Sequence, residues 1–229
     1  MGADGSPAAH SHSWRQSAAQ VFVEDLHAPE LDDDDAHHLG RVLRLADGDE
    51  ICAADGAGGW RMCRLVGGAL EPMSDAYAEA RLDPQLTVGF APPKRDRPEW
   101  AVQKLTELGV DRIVLLRTQR SVVKWSGDRA AKQVAKLGRT ALEACRQSRR
   151  LWLPEVVTAD FTQVAGVLAD AGGRALTVAD TTVLVGPEGG WTDGEREGRD
   201  LIGLSDNVLR TETAAVATAA RLTALRLGL

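Results

Sequence analysis

From Leu86 to the C-terminus, short apolar runs alternate with amphipathic stretches of helical length. This alternation is what most restricts how the 229-residue chain can fold. Strand-like segments are read at 86–90, 112–116, 155–157, 175–178 and 182–185. Helices are predicted at 97–108, 128–147 and 161–171, and a closing strand and helix at 207–227. Gly109 ends the first helix, and Thr192 with Glu195 forms a capping box for one more. Strands interleaved with helices are joined by crossovers, so the expected fold is α/β with a parallel sheet.

Before Asp83-Pro84 the texture differs. Apolar pieces at 21–23, 50–53, 60–66 and 76–80 are separated by turn signals such as Ala46-Asp47-Gly48-Asp49 and Asp55-Gly56-Ala57-Gly58-Gly59. Short strands with Gly/Asp turns predict a small β-barrel. The acidic run at 32–35 opens a helical turn over 37–44. The first twenty residues, rich in Gly, Ala, Ser and His, lack the apolar stretch of a secretory signal and read as a disordered extension.

The run Thr182-Val183-Leu184-Val185 empties into Gly186-Pro187-Glu188-Gly189-Gly190. Three glycines leave bare backbone that a ligand can approach, and the proline stiffens the loop. The loop lacks the Gly-Lys-Ser/Thr ending that holds a triphosphate, and it is not Gly-x-Gly-x-x-Gly, so neither a Walker A site nor a Rossmann site is supported. In a parallel sheet it falls beyond a strand's carboxyl end, where such sheets bind ligands.

No apolar run approaches the ~20 residues that span a bilayer, and a cytoplasmic protein is expected. The cysteines, Cys52, Cys63 and Cys145, have neither metal-ligand spacing nor the even count of a disulfide framework, and no metal is expected. The net charge is −6. Residues 91–150 nevertheless hold fifteen Lys and Arg against six Asp and Glu, a local +9 that leaves −15 elsewhere. This asymmetry suits a phosphate-contacting surface, although solvated helix faces produce it too.

The string 184–191 with Glu195, followed by Leu209-Arg210-Thr211-Glu212-Thr213-Ala214, resembles the RsmE-type methyltransferases of the SPOUT class. The resemblance extends from about Val21 to the C-terminus. It takes in Arg120-Ser121, the segment Glu143-Ala144-Cys145-Arg146-Gln147-Ser148-Arg149-Arg150 ahead of Pro154, and the stretch around His37 to Arg44. It implies a PUA-like RNA-binding barrel over 21–83 and, over 84–229, a SPOUT domain whose sheet carries a deep trefoil knot. It further implies a homodimer that uses S-adenosylmethionine to methylate N3 of a uridine in small-subunit (16S) ribosomal RNA. A SPOUT enzyme with another RNA target, or a non-catalytic RNA-binding protein of the same fold, are the competing readings.

By that resemblance Leu184, Gly186, Pro187, Gly189, Gly190, Leu209, Thr211, Thr213 and Ala214 hold the cofactor. Arg41, Arg44, Lys94, Arg120, Arg146, Arg149 and Arg150 meet RNA. Arg146 stands where the family usually has a glutamate, and the segment ahead of Gly186 is shorter than usual. Thr211 and Glu212 are explained by helix capping and the helix dipole, whereas Arg210, a cation at a helix start, is not. Arg210 is therefore the first catalytic candidate. Glu188 is a candidate base, with proton loss to water assisted by Arg210 as the alternative.

Overall fold

The computed structural model describes residues 13–123 and 125–229. Most of the anticipated N-terminal extension and Lys124 lie outside the described residues. The chain divides into two units. One comprises Met1–Arg81 with Cys145–Leu153, and the other Leu82–Ala144 with Pro154–Leu229.

In the first unit β1 (Ala19–Phe22) pairs in parallel with β2 (Glu50–Ala54), which pairs antiparallel with β3 (Gly59–Val66). Strand β3 also carries β4 (Ala69–Pro72) and β5 (Tyr77–Ala78), both antiparallel. The parallel step from β1 to β2 requires a crossover, supplied by α1 (Asp33–His37) and the wide helical turn His38–Val42. Asp32 caps α1 by accepting from the Asp35 N–H. Side-chain alternation sorts the core onto two faces. Ile51, Ala53, Cys63 and Leu65 pack with Val21 and Leu39, while Cys52, Ala54, Trp60 and Met62 pack with Trp14 and Leu151.

Residues 13–20 thus belong to the fold rather than to the disordered extension expected at 1–20. Trp14 is buried, its ring lies 5.0 Å from that of Trp60, and Ala19 and Gln20 already sit in β1. A single anchoring tryptophan carries no periodicity, which is why the composition misled.

The second unit holds an all-parallel six-stranded sheet. Its strands are β6 (Thr87–Phe90), β7 (Arg112–Arg117), β8 (Glu155–Asp160), β9 (Val167–Arg174), β10 (Thr182–Val185) and β11 (Leu201–Ile202), in the order β11-β9-β10-β6-β7-β8. Its helices are α2 (Arg97–Glu107), α3 (Gly127–Ser148), the short α4 (Asp193–Arg196) and α5 (Thr211–Leu227), and the last turn of α3 is grouped with the first unit. Both faces are covered, as parallel sheets require. Val88, Phe90, Ile113, Leu115, Val183 and Val185 pack against residues of α2, α3 and α5. Val114, Leu116, Leu168 and Leu184 pack against Phe161, Val164 and Trp191.

Two of the sequence expectations for 161–178 are corrected. The helix expected at 161–171 is a single 3-10 turn, Phe161–Gln163, followed by β9. Leu168 fits the apolar spacing of a helix, but between β10 and β11 it is fully buried in the sheet. The strand expected at 175–178 is a loop closed by Asp180, whose carboxylate accepts from the Thr177 N–H at 2.8 Å, the Thr177 hydroxyl at 2.9 Å and Arg174 at 2.7 and 2.8 Å. Arg174 holds this carboxyl well below the usual carboxylate range. Likewise no strand forms at 207–210, which leads directly into α5.

At the amino edge of this sheet Asp111 is buried. Its Oδ2 accepts from the Leu86 N–H at 2.9 Å and from Arg226 Nη1 at 2.8 Å, while Arg226 Nη2 donates to the Gly109 carbonyl at 3.0 Å. Removing one member of a buried pair strands the other charge, so Arg226→Ala is expected to destabilise the protein by about 3–5 kcal/mol in denaturant titration. Deleting the exposed Arg112–Glu155 pair should cost under about 1 kcal/mol.

Candidate active site

The site is built where β6 and β10 end. After β10, the Gly190 N–H donates to the Pro187 carbonyl at 2.8 Å, closing a tight turn that Gly190 completes at φ +68°, a left-handed conformation suited to glycine. Gly186 is glycine for a different reason: a Cβ there would lie 3.0 Å from the Trp191 ring. The Trp191 indole is buried, donates from Nε1 to the Ala169 carbonyl at 3.0 Å, and packs on Phe161 with ring centres 5.1 Å apart.

Three further bonds hold the loop. The Thr211 hydroxyl donates to the Gly186 carbonyl at 3.0 Å, and Arg120 Nη1 donates to the carbonyls of Gly189 at 2.9 Å and Trp191 at 3.2 Å. Buried Glu195 makes the expected capping box with Thr192 and also accepts from the Gln119 N–H at 2.9 Å, linking α4 to the end of β7. Thr211 does not cap α5; the N-cap is Arg210, which makes no side-chain cap bond.

These bonds frame a cavity of about 270 Å³. One wall is the glycine loop, and another is the segment Leu204 to Leu209 with Thr211 and Ala214. A third is Ala169, Asp170 and Ala171. Strand β9 leaves its ladder there, since consecutive β11 residues Leu201 and Ile202 pair with Leu168 and Arg174. Asp170, Glu188 and Asp206 contribute carboxylates, and no Lys or Arg is among the lining residues described.

Of the sequence-derived cofactor residues, Gly186, Pro187, Gly190, Leu209, Thr211 and Ala214 line this cavity. Leu184, Gly189 and Thr213 do not. Leu184 is fully buried on the opposite sheet face from Val183 and Val185, because strand neighbours alternate. The segments 169–171 and 204–208 were missed, and only the polar run Ser205-Asp206-Asn207 hinted at either.

Glu188 sits on the cavity rim and is exposed, with Oε1 3.7 Å from Arg97 Nη1. The same guanidinium nitrogen lies 3.3 Å from Oε1 of Glu212, which is largely buried in the first turn of α5. Arg210 is exposed beside it.

The basic residues separate by duty. Arg41, Arg44 and Lys94 are exposed, without ion-pair partners among the described residues. Arg120 braces the glycine loop, as above. Within the first unit, Arg146 is bound 2.6 Å from buried Asp35, and Arg149 Nη2 donates to the carbonyls of Ser17 at 2.9 Å and Ala18 at 3.1 Å. Burial lowers the Arg149 pKa, partly offset by neighbouring Cys52. Arg150 is half-buried and its carbonyl accepts from Gln20.

No group of three or more His, Cys, Asp and Glu among the described residues is arranged to hold a metal ion, and no helix there is long and apolar enough to cross a membrane.

A family model described as an RNA methyltransferase domain matches residues 80–223, and one described as an RNA methyltransferase PUA domain matches 31–68. The fold and the matched models together define an RNA methyltransferase carrying a PUA domain. A protein named ribosomal RNA small subunit methyltransferase E from Synechocystis is 31% identical over 82% of this chain and 70% of its own length. Its namesake from Mycobacterium bovis is 30% identical over 81% and 82%. The crystal structure of the Neisseria gonorrhoeae protein of that name, bound to S-adenosyl methionine, superposes with a TM-score of 0.77 at 25% identity, covering 90% of this chain and 97% of that one. The chain belongs to the family of ribosomal RNA small subunit methyltransferase E.

None of the cysteines lines the cavity, and burial pushes Cys52 up to about 12 and Cys63 and Cys145 up to about 11. None should react with a thiol reagent near neutral pH until denaturant is added. Below about pH 8.5 both folded and unfolded thiols are neutral. Above it the unfolded chain ionises first, so stability should fall as pH rises toward the folded values, measurable as a declining denaturation midpoint.

Proposed function

We propose that this protein transfers the methyl group of S-adenosylmethionine to N3 of a uridine in small-subunit ribosomal RNA. The observation that carries the reading is the cavity wall: bare glycine backbone, apolar side chains and three carboxylates, of which Asp170 is paired with Arg196 and Glu188 lies 3.7 Å from Arg97. Exposed Asp206 is the carboxylate left to meet a cationic group, and the wall offers a polyphosphate no lining cation among the described residues. Val185, Leu204, Leu209 and Ala214 offer apolar contact to a purine, and the backbone of 186–190 offers polar groups to a ribose. S-Adenosylmethionine fits that donor set and supplies an electrophilic methyl on a sulfonium.

The chain's own residues then bind and orient. Thr211 and Arg120 hold the glycine loop in shape by its carbonyls, which preorganises the cavity rather than contacting the reaction. Arg210, exposed at the start of α5, meets the developing uridine anion. Two carboxylates, Glu188 and Glu212, share the Arg97 guanidinium and are the available proton acceptors. Arg41 and Arg44 in the PUA domain and Lys94 beyond β6 contact RNA phosphates, since all three are exposed and unpaired among the described residues. Arg146, Arg149 and Arg150 serve RNA binding by shaping the first unit around their partners. The same reading includes a cytoplasmic homodimer whose segment 204–214 is threaded as a trefoil knot past the glycine loop, as in the family the sequence resembles.

Calorimetric titration with S-adenosylmethionine tests the cavity directly. Ala214→Leu, which fills it, should weaken binding by about tenfold or more while the protein stays folded. Mass spectrometry of small-subunit ribosomal RNA from a deletion strain should show one methyluridine lost and restored by the wild-type chain. Loss of a different modified base would reassign the target, and no binding at millimolar ligand would sink the enzyme reading.

A further inference from the structure

The Arg97 bridge joins two carboxylates in unequal circumstances. Glu188 is 59% exposed, its oxygen is 3.7 Å away, and water screens the contact. Glu212 is 10% exposed, its Oε1 is 3.3 Å from the guanidinium, and its Oε2 is shielded from solvent without a hydrogen-bond partner. Buried polar atoms are nearly always satisfied, and an exception calls for a cause. Nothing in the local structure explains this one: the helix start accounts for the residue being acidic, not for one of its oxygens going unused.

The position supplies the cause. Arg97 opens α2 directly beyond the carboxyl end of β6, Glu188 lies beyond the end of adjacent β10, and Glu212 sits between Thr211 and Ala214, which both line the cavity. Glu212 does not itself line the cavity, but Arg97 joins it to Glu188, which does, and so places it beside the sheet edge where parallel folds bind their ligands. Methylation at a ring nitrogen that carries a hydrogen has to dispose of that proton, and an unused carboxylate oxygen is an acceptor ready for it.

We propose that Glu212 is the proton acceptor of the reaction and Arg97 its positioning residue, an inference that rests on the methyltransferase reading above. Arg97 holds Oε1 and leaves Oε2 for the uracil N3–H. The N3–H bond breaks and its proton goes to Oε2, giving the neutral acid. The nitrogen pair forms the new N3–carbon bond, and the carbon–sulfur bond breaks with its electrons passing to sulfur. Glu188, weakly held, moves aside to admit the base. The charged groups around Glu212 are Arg97 from α2, Glu188 from the loop after β10, and Arg210 two positions before it in the chain.

The test compares full-length wild type with Glu212→Gln, Glu188→Gln, Arg97→Met and Arg97→Lys. Single-turnover methylation of a small-subunit ribosomal RNA fragment is followed from neutral to alkaline pH, alongside calorimetric titration with S-adenosylmethionine and unliganded thermal melting. Glu212→Gln keeps an acceptor for Arg97, so it should melt like wild type and bind the cofactor equally well, yet react about 10²–10⁴-fold more slowly. Its deficit should shrink as rising pH ionises the uracil without help. Arg97→Met should share the slow rate, and Arg97→Lys should recover part of it. A deficit that ignores pH, a parallel loss of cofactor affinity, or alkaline rescue confined to Glu188→Gln overturns the assignment. An inactive wild type refutes the methyltransferase reading itself and takes this inference with it.

Discussion

Much of the site's geometry depends on where one buried indole finds its hydrogen-bond partner. A tryptophan removed from water needs an acceptor for its ring N–H. Trp191 takes the Ala169 carbonyl, at the point where β9 bulges out of its ladder. That bond ties the bulge at 169–171 to the glycine loop, so two of the three cavity walls are set relative to each other. The ring also lies so close to Gly186 that any side chain there would press on it. The third wall is attached through the Thr211 hydroxyl on the Gly186 carbonyl. The backbone looks flexible in the sequence, yet in the fold the carbonyls of Gly186, Pro187 and Gly189 are each held by a hydrogen bond.

Most of the second unit could be read from pattern, and the misses share a physical cause. β6, α2, β7, α3, β10 and α5 follow from strand-length apolar runs, capping residues and glycine stops. β9 was read as a helix because only Leu168 of its residues is buried, the others being partly or fully exposed without a regular alternation, and Leu168 satisfies either period. The cofactor residues erred by the same geometry in reverse. Leu184 lies within the diagnostic string, but strand periodicity turns it into the core while Val185 reaches the cavity. The 169–171 wall was illegible because a bulge is a property of two strands, and its partner β11 is only Leu201–Ile202. Glu212 was explained too easily by its place at a helix start; only the structure shows an oxygen left over.

Charge counting needed the same correction. The excess of cations over 91–150 suggested a phosphate surface, but much of it is consumed internally. Arg117 forms a bidentate pair with Asp160, and that hydrogen bonding draws the Asp160 pKa down. Lys104 pairs with Glu107, Lys136 with Glu99 and Arg146 with Asp35, while Arg149 and Arg120 spend donors on backbone carbonyls. Arginine's forked, planar donor array suits such bracing as well as it suits phosphate. Local net charge therefore overstates the cationic surface left free for a partner, and cations exposed and without ion pairs among the described residues, such as Arg41, Arg44, Lys94 and Arg210, are a stricter measure of it.

The two edges of the parallel sheet are finished in opposite ways. At the amino edge the buried Asp111 carboxylate is held by Arg226 and by the Leu86 N–H, and Arg226 reaches on to the Gly109 carbonyl. Those bonds tie the end of α5 to the starts of β6 and β7, although Arg226 Nε is itself buried without a partner. At the carboxyl edge the corresponding buried carboxylate, Glu212, is only half engaged, and its arginine is shared with an exposed partner. Local rules are expected to fail at working sites and to hold elsewhere. Helix α5 does not follow that division by itself, since Glu212, Thr218 and Arg226 each keep a buried atom without a partner; what singles out its first turn is the Arg97 bridge from Glu212 to the exposed Glu188.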